Sequence, residues 1–396
     1  WFDALLQRAP VQSYNLTLTS NKDKLRTSVV AGVFNQEGVV LNTKYDRYSL
    51  RVNSEYAVSK KVTIGMNLAP SYVMDNTPRT DGSRGTGILF NAMHTWPVMP
   101  IYEADGETLT LFNRFPASTG NIFAYPNYVR SAQEIKNETK QTNLLSNAYI
   151  LYSPIKGLTL KSTFNAELLG SNFFFFNPST ATSNINTAIP VTAVSTREYT
   201  NNVGWLNENL ATYTKSFNEH NFEILGGYTN QSFRSDINRI TSDTYSDDRL
   251  PTIQGGINIS RAGFGATGTF GGTGTNVQEW ALTSVLSRLS YNYKSKYLFT
   301  ASIRRDGSSR FGSNNRWGTF PSVSAGWVLS DEDFIKNIDK ISFLKLRTSW
   351  GVTGNNNIGN YTQYALVNNT VNAVFGSTIA PGAAVTSLAN PNLGWE

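Results

Sequence analysis

No cysteine occurs among the 396 residues, so disulfide scaffolds, thiolate-ligated zinc, iron–sulfur clusters and thiol nucleophiles are excluded. Histidine is almost as scarce. With only His94 and His220, a multi-histidine metal centre is impossible, and a Ser-His-Asp arrangement would have to use one of those two imidazoles. Charged residues make up 16% of the chain, against about 25% in an average globular protein. The net charge of +6 comes from Lys and Arg spread singly. No basic run tracks phosphates, and no nucleic-acid partner is expected. No stretch approaches the roughly 18 apolar residues of a membrane-spanning helix, which excludes helical spans and nothing else.

What fills the space is aromatic and neutral-polar. Phe, Tyr and Trp reach 12%, through 22 Phe, 19 Tyr and 8 Trp. Asn, Thr, Ser and Gly supply most of the polar residues, a mixture that favours strands and turns over long helices. An all-β chain is the expectation.

Period-two segments about ten residues long recur. In LTLKSTFNAEL, Leu158, Leu160, Phe164, Ala166 and Leu168 share one face, and Thr159, Lys161, Thr163, Asn165 and Glu167 share the other. VTIGMNL and FLKLRTSW alternate in the same way. About thirteen such strands are counted, and their connections take turns in length. Short ones fall near 21–24, 58–61, 154–157, 216–219 and 294–296; long ones near 35–44, 73–141, 170–198, 236–278 and 306–317. A transmembrane antiparallel β-barrel sorts its loops like this, with tight periplasmic turns at one rim and long extracellular loops at the other. Tyr149, Tyr152, Tyr291, Tyr293, Tyr297, Phe299, Trp327 and Trp350 then read as interfacial girdles. A soluble β-sandwich or adhesin with these rings in its core is the competing architecture; its weakness is that every strand's second face is too polar for a dry core. The segment 331–342, DEDFIKNIDKIS, stands where a short turn is due and reads as a turn with one or two helical turns.

The glycine-rich GFGATG at 263–268 matches a dinucleotide fingerprint in letters but lacks the strand, helix and acidic residue that the fingerprint needs, so it reads as a loop. The Asp-Gly pairs at 81, 105 and 306 are turn signals without calcium-loop spacing. No catalytic, metal-binding or cofactor-binding residues are assigned, and no enzyme activity is expected. Trp96, Tyr102 and Phe115, in the longest connection, are candidates for contact with a substrate or a lid; the same rings would also serve to pack a long loop.

Five phrases carry more than composition does. WFDALLQRAPVQSYNLTLTSN, FNQEGVVLNTKYDRYSLRVN, RRDGSSRFGSNNRWGTFPSVSAGWVLSDEDF, LKLRTSWGVTGNNNIGNY and NPNLGWE follow one another along most of the chain. Together they resemble successive landmarks of the SusC/RagA family of TonB-linked outer-membrane transporters. The resemblance implies a plugged 22-stranded barrel, of which 1–396 would be a partial barrel domain of about 13 strands, with plug and final strands outside this sequence. By the same resemblance Trp1 lies in the first extracellular loop, and the chain, which opens without Met and closes in mid-phrase, is a fragment. The implied function is active import of a glycan or peptide in the outer membrane of a Gram-negative, Bacteroidota-like bacterium. A SusD-like surface lipoprotein caps the barrel, and the TonB complex pulls on the plug. A receptor for siderophores or cobalamin without a lipoprotein lid would share the barrel. On the assigned register Arg47, Arg51, Lys161, Asn165, Arg304, Lys345 and Arg347 face the lumen, where they would hold the plug or meet the substrate.

Overall fold

The computed structural model describes residues 1–78, 87–114, 124–184, 187, 189–259, 274–336, 338 and 340–396. Its strands are β1 Val11–Lys22, β2 Leu25–Glu37, β3 Lys44–Ala57, β4 Val62–Asn76, β5 Phe112–Arg114, β6 Ala124–Pro126, β7 Lys136–Tyr152, β8 Leu158–Asn177 and β9 Val194–Phe217. They continue with β10 His220–Tyr245, β11 Gly256–Ile259, β12 Gly274–Tyr293, β13 Tyr297–Ser308, β14 Trp317–Val328, β15 Lys345–Gly351, β16 Leu366–Phe375 and β17 Thr378–Ser387. Four short helices accompany them: α1 Phe2–Leu5, α2 Ile88–Met93, α3 Tyr128–Glu134 and α4 Asp333–Lys336.

Thirteen strands form one antiparallel sheet, in the order β1-β2-β3-β4-β7-β8-β9-β10-β12-β13-β14-β15, with β11 paired to β10. Apart from β5, β6 and β11, which lie within long connections, neighbours in the sheet are neighbours in the chain, so the connections alternate between two rims as the sequence pattern predicts. A single continuous sheet replaces the sandwich alternative. At the short-turn rim, Asp23 and Asn218 take positive φ (51° and 48°), the conformation that two-residue hairpins require. Gly157 does the same at φ 88°, where a Cβ would stand 2.4 Å from the Thr214 carbonyl oxygen. The turn between β14 and β15 holds α4 within 331–342, as expected.

The two faces differ as the alternation requires. The outer face of β8 carries Leu158, Leu160, Phe164 and Leu168. Cross-strand pairing continues that row through Ile150 on β7, Ile64 and Met66 on β4, and Trp205 and Tyr213 on β9. Apart from the half-buried Leu158 these large side chains are well exposed, Phe164 at 50%, with no covering layer among the described residues. Counted from the short turns, the oily stretch ends after about ten residues, a band about 25 Å tall at the usual rise and tilt.

The strands are longer than that band. Ten residues were expected throughout, yet β8, β9, β10 and β12 run to 20, 24, 26 and 20 residues. Beyond the band both faces are mainly polar or aromatic, as in the FFFFN end of β8, so there is no regular oily-against-wet contrast to read. Hydrogen-bonded pairing nevertheless continues to Phe176↔Ser195 and Arg239↔Glu198. The long connections are correspondingly shorter than expected: 178–193 rather than 170–198, and 246–273 rather than 236–278.

Most of the expected girdle lies on the outer face at the short-turn rim. Phe217, His220, Tyr293, Tyr297 and Trp327 follow one another as stacked rings with centroids 4.6–6.3 Å apart. Glu332, in the turn below, accepts hydrogen bonds from the Tyr297 hydroxyl at 2.7 Å and the Trp327 indole at 2.9 Å, and pairs with Lys296 at 3.4 Å. The Tyr297 hydroxyl is the leading cause that holds this carboxyl below its ordinary range. Tyr149 is the exception. It faces inward, because it sits in the same register as Thr163 and Gly65.

Candidate functional site

The inner face is a polar wall. Pairing places Asn53, Asn67, Asn147 and Asn165 directly opposite one another on β3, β4, β7 and β8. The amides of the last three form a directional relay. Asn67 Nδ2 donates to Asn147 Oδ1 at 3.2 Å, Asn147 Nδ2 to Asn165 Oδ1 at 2.6 Å, and Asn165 Nδ2 to the Leu206 carbonyl of β9 at 3.2 Å. Side chains of this row, with Arg51, Glu167, Gln231, Leu206 and Phe233, line a hollow of about 430 Å³ that spans six strands. Such a hollow offers amide donors and acceptors, one guanidinium and one carboxylate to a polar ligand or a peptide backbone. The sequence reading named Asn165 and Arg51 but not the row. Its signal was present in the recurrence of Asn at inner-face positions of consecutive strands, and only the register aligns them.

All seven polar residues proposed for the lumen stand on this inner face. Arg51 and Asn165 line the hollow. Lys161 lies over the Tyr149 ring, 4.8 Å from its centroid, and Arg47 lies 5.6 Å from that of Phe34. Arg304 donates to Asp306 at 2.7 Å and to Ser284 at 3.0 Å. Lys345 and Arg347, at the start of β15, share the face of Gly326 and Ser324 without joining the hollow.

Among the described residues, the long-loop rim holds packed segments. A small core of Leu5, Ile88, Ala92, Tyr128, Val129 and Ala132 joins α1, α2 and α3, with Trp1, Leu41, Ile101 and Leu109 against it. Asn127 caps α3 by accepting from the Val129 and Arg130 amides, and its own amide donates to the Ile101 carbonyl at 2.8 Å. Ser131 and Asn91 donate to carbonyls of Thr182 and Ser183, which ties the 77–135 connection to the next long loop. Among the candidate contact residues, Trp96 and Tyr102 are 50% and 45% exposed on this assembly. Phe115 lies outside the described residues, as does the 263–268 glycine-rich segment.

A second loop assembly brings three of the quoted phrases together. The Gly312 amide donates to the Leu393 carbonyl, and the Asn314 amide to that of Pro391. Trp395 packs against Phe311 and Phe320, and Arg310 donates to Asn360 at 2.8 Å and to the Asn356 carbonyl at 3.1 Å. FGSNNRW, GNNNIGNY and NPNLGWE are therefore contact partners, a relation that no local pattern shows.

His94 contacts the Phe90 carbonyl and His220 the Tyr291 hydroxyl. Among the described residues, no group of three His, Asp or Glu is placed to hold a metal.

No protein-family model matches the chain. It is 30% identical over 403 aligned positions to "TonB-dependent receptor P3" of Formosa agariphila, covering all of this chain and 38% of that protein. To "TonB-dependent receptor SusC" of Bacteroides thetaiotaomicron it is 44% identical over 119 positions, 29% of this chain and 12% of that protein. The solved "RagAB peptide transporter" superposes with a TM-score of 0.80 at 25% identity, covering all of this chain and 42% of that one. The chain thus spans well under half the length of the relatives that match it throughout.

Proposed function

Since the chain belongs to the SusC/RagA family of TonB-dependent receptors, we propose that it is the larger part of the barrel wall of an outer-membrane importer for a glycan or a peptide. The observation that carries this reading is the contrast between the two faces. The oily band, bounded by aromatic rings at the short turns, suits lipid. The row of asparagines and its 430 Å³ hollow suit a hydrated passage or the surface of a plug. Most lumen charges, Arg51 and Glu167 among them, serve in this reading to seat a plug domain contributed by sequence beyond residues 1–396.

A SusD-like lipoprotein is the proposed lid, docking on the two packed loop assemblies with Trp96 and Tyr102 among its contacts. RagAB is described as a peptide transporter, so peptide stands beside glycan as the cargo. TonB supplies the work, and the wall performs no bond chemistry.

The test is uptake by cells that express the full-length receptor with its neighbouring lipoprotein. Fluorescent oligosaccharide and oligopeptide mixtures are offered, with and without TonB. Accumulation of one class that needs both TonB and the lipoprotein is expected; TonB-independent accumulation would overturn the reading.

A further inference from the structure

Above the oily band, the outer face of the sheet carries a basic cleft that the import reading does not use. β7, β8 and β9 continue there without a break in pairing, so Lys136, Glu138 and Lys140 on β7, Asn172 and Phe174 on β8, and Arg197 on β9 all point to the same side as Phe164 and Leu168. With the turn at Pro251, they enclose a hollow of about 300 Å³. Phe174 forms its floor, buried, with the Arg197 guanidinium carbon 3.8 Å from the ring centroid. That stacking fixes the guanidinium plane while leaving its N–H edges for a ligand.

Three cations face one carboxylate in this hollow. None of Lys136, Lys140 and Arg197 has an ion-pair partner among the described residues, whereas on the neighbouring β10 Arg239 is paired with Glu198 and Arg234 with Asp236. Height decides what the cleft meets. Lys140 and Asn172 stand four residues above Leu144 and Leu168, the last aliphatic positions on the outer face of their strands. At about 2.5 Å of vertical rise per tilted residue, that is roughly 10 Å above the hydrocarbon, within the headgroup layer.

We propose that this cleft binds a phosphoryl group of the phosphorylated glycolipid that forms the outer leaflet. Two lysines supply point charges and Arg197 a forked pair of donors, the combination that recognises a phosphate monoester. Asn172 stands in reach of a sugar hydroxyl. The contact would clamp the tall part of β7–β9 to the membrane surface on the side away from the lumen, so it is separate from cargo and lid.

The experiment uses the full-length receptor purified in mild detergent, with native mass spectrometry as the readout. The probes are bisphosphorylated lipid A, the same glycolipid without phosphates, and inorganic phosphate. Wild-type protein should retain bisphosphorylated lipid A about tenfold better than a Lys136→Gln, Lys140→Gln, Arg197→Gln variant. The dephosphorylated glycolipid should not distinguish the two. A Lys60→Gln, Lys61→Gln variant at the opposite rim, equal in kind of charge removed, should bind as wild type does. The single Lys140→Gln variant gives a smaller loss in the same direction and leaves the packed residues untouched. Equal retention by wild type and triple variant would overturn the proposal, as would an equal loss in the rim control. Inorganic phosphate that binds as tightly as the lipid would overturn the lipid assignment.

Discussion

The ring of Tyr149 occupies the space that a side chain at position 65 would need: a Cβ on Gly65 would stand 2.1 Å from Tyr149 Cζ. The two are directly paired across β4 and β7, and the phenol reaches over the glycine to donate to Glu55 Oε2 on β3 at 2.8 Å. An aromatic ring that covers a strand glycine restores the packing which the missing side chain would have given. Gly65→Ala should expel the ring and cost the intact barrel about 1–3 kcal/mol in a urea unfolding assay. Tyr149→Phe, which keeps the ring and loses one hydrogen bond, should cost about 0.5–1.5 kcal/mol. A harmless Gly65→Ala would show that the ring sits elsewhere.

The face assignment predicts an asymmetry on β8. Phe164 lies on the outer face in mid-band and stacks against Trp205 at 6.3 Å. Phe164→Arg should destabilise the intact barrel by roughly 2–4 kcal/mol. Its inner-face neighbour Thr163 is a poor control because it is buried, only 7% exposed. Glu167→Arg, on the exposed wall of the hollow, should cost far less, and equal losses would reject the faces.

Sidedness can be read with introduced thiols, since the chain has no cysteine of its own. Ser313 and Val98 are exposed at the long-loop rim, and Lys156 at the short-turn rim. On whole cells an impermeant maleimide should label Ser313→Cys and Val98→Cys and spare Lys156→Cys. Labelling of position 156 alone would invert the barrel.

Proton titration should leave one loop intact to unusually low pH. The Arg249 side chain and backbone amide both donate to Asp247, which lowers its pKa from 3.8 to about 2. A depressed carboxyl contributes its stability above the ordinary value and loses it as pH falls through the folded one. Proteolytic protection of the 246–255 turn should therefore persist at pH 3 and fall near pH 2. Asp247→Asn should remove that step; an unchanged profile would show that another group holds the turn.

The second loop assembly offers a steric test. A Cβ on Gly312 would stand 2.2 Å from the Pro391 carbonyl oxygen. Gly312→Ala should release the 390–396 segment, seen as faster cleavage there, while heat resistance of the barrel is retained. Unchanged cleavage would show that the phrases are not in contact.

Alternation and turn chemistry made the sheet legible within the oily band, because lipid on one side and water on the other force a contrast at every second residue of β8. Above the band that contrast vanishes, so 170–177 of β8, 194–198 of β9 and 236–245 of β10 read as loop. Tyr149 was misplaced for a related reason. A tyrosine near a strand end looks the same in either register, and only its pairing with Gly65 shows which face it takes. Of the site, single lumen residues such as Arg51 could be named. The four aligned asparagines could not, since their row depends on the stagger of four strands. The loop contact between Gly312 and Leu393 links positions whose association is made only by the fold.

The unbroken ladders from the short turns to the tops of β8, β9 and β10 have a mechanical meaning. A pull along these strands loads their cross-strand hydrogen bonds in shear, all at once, instead of peeling them one by one. The ladders of the wall therefore resist an axial load together, without unzipping from one end.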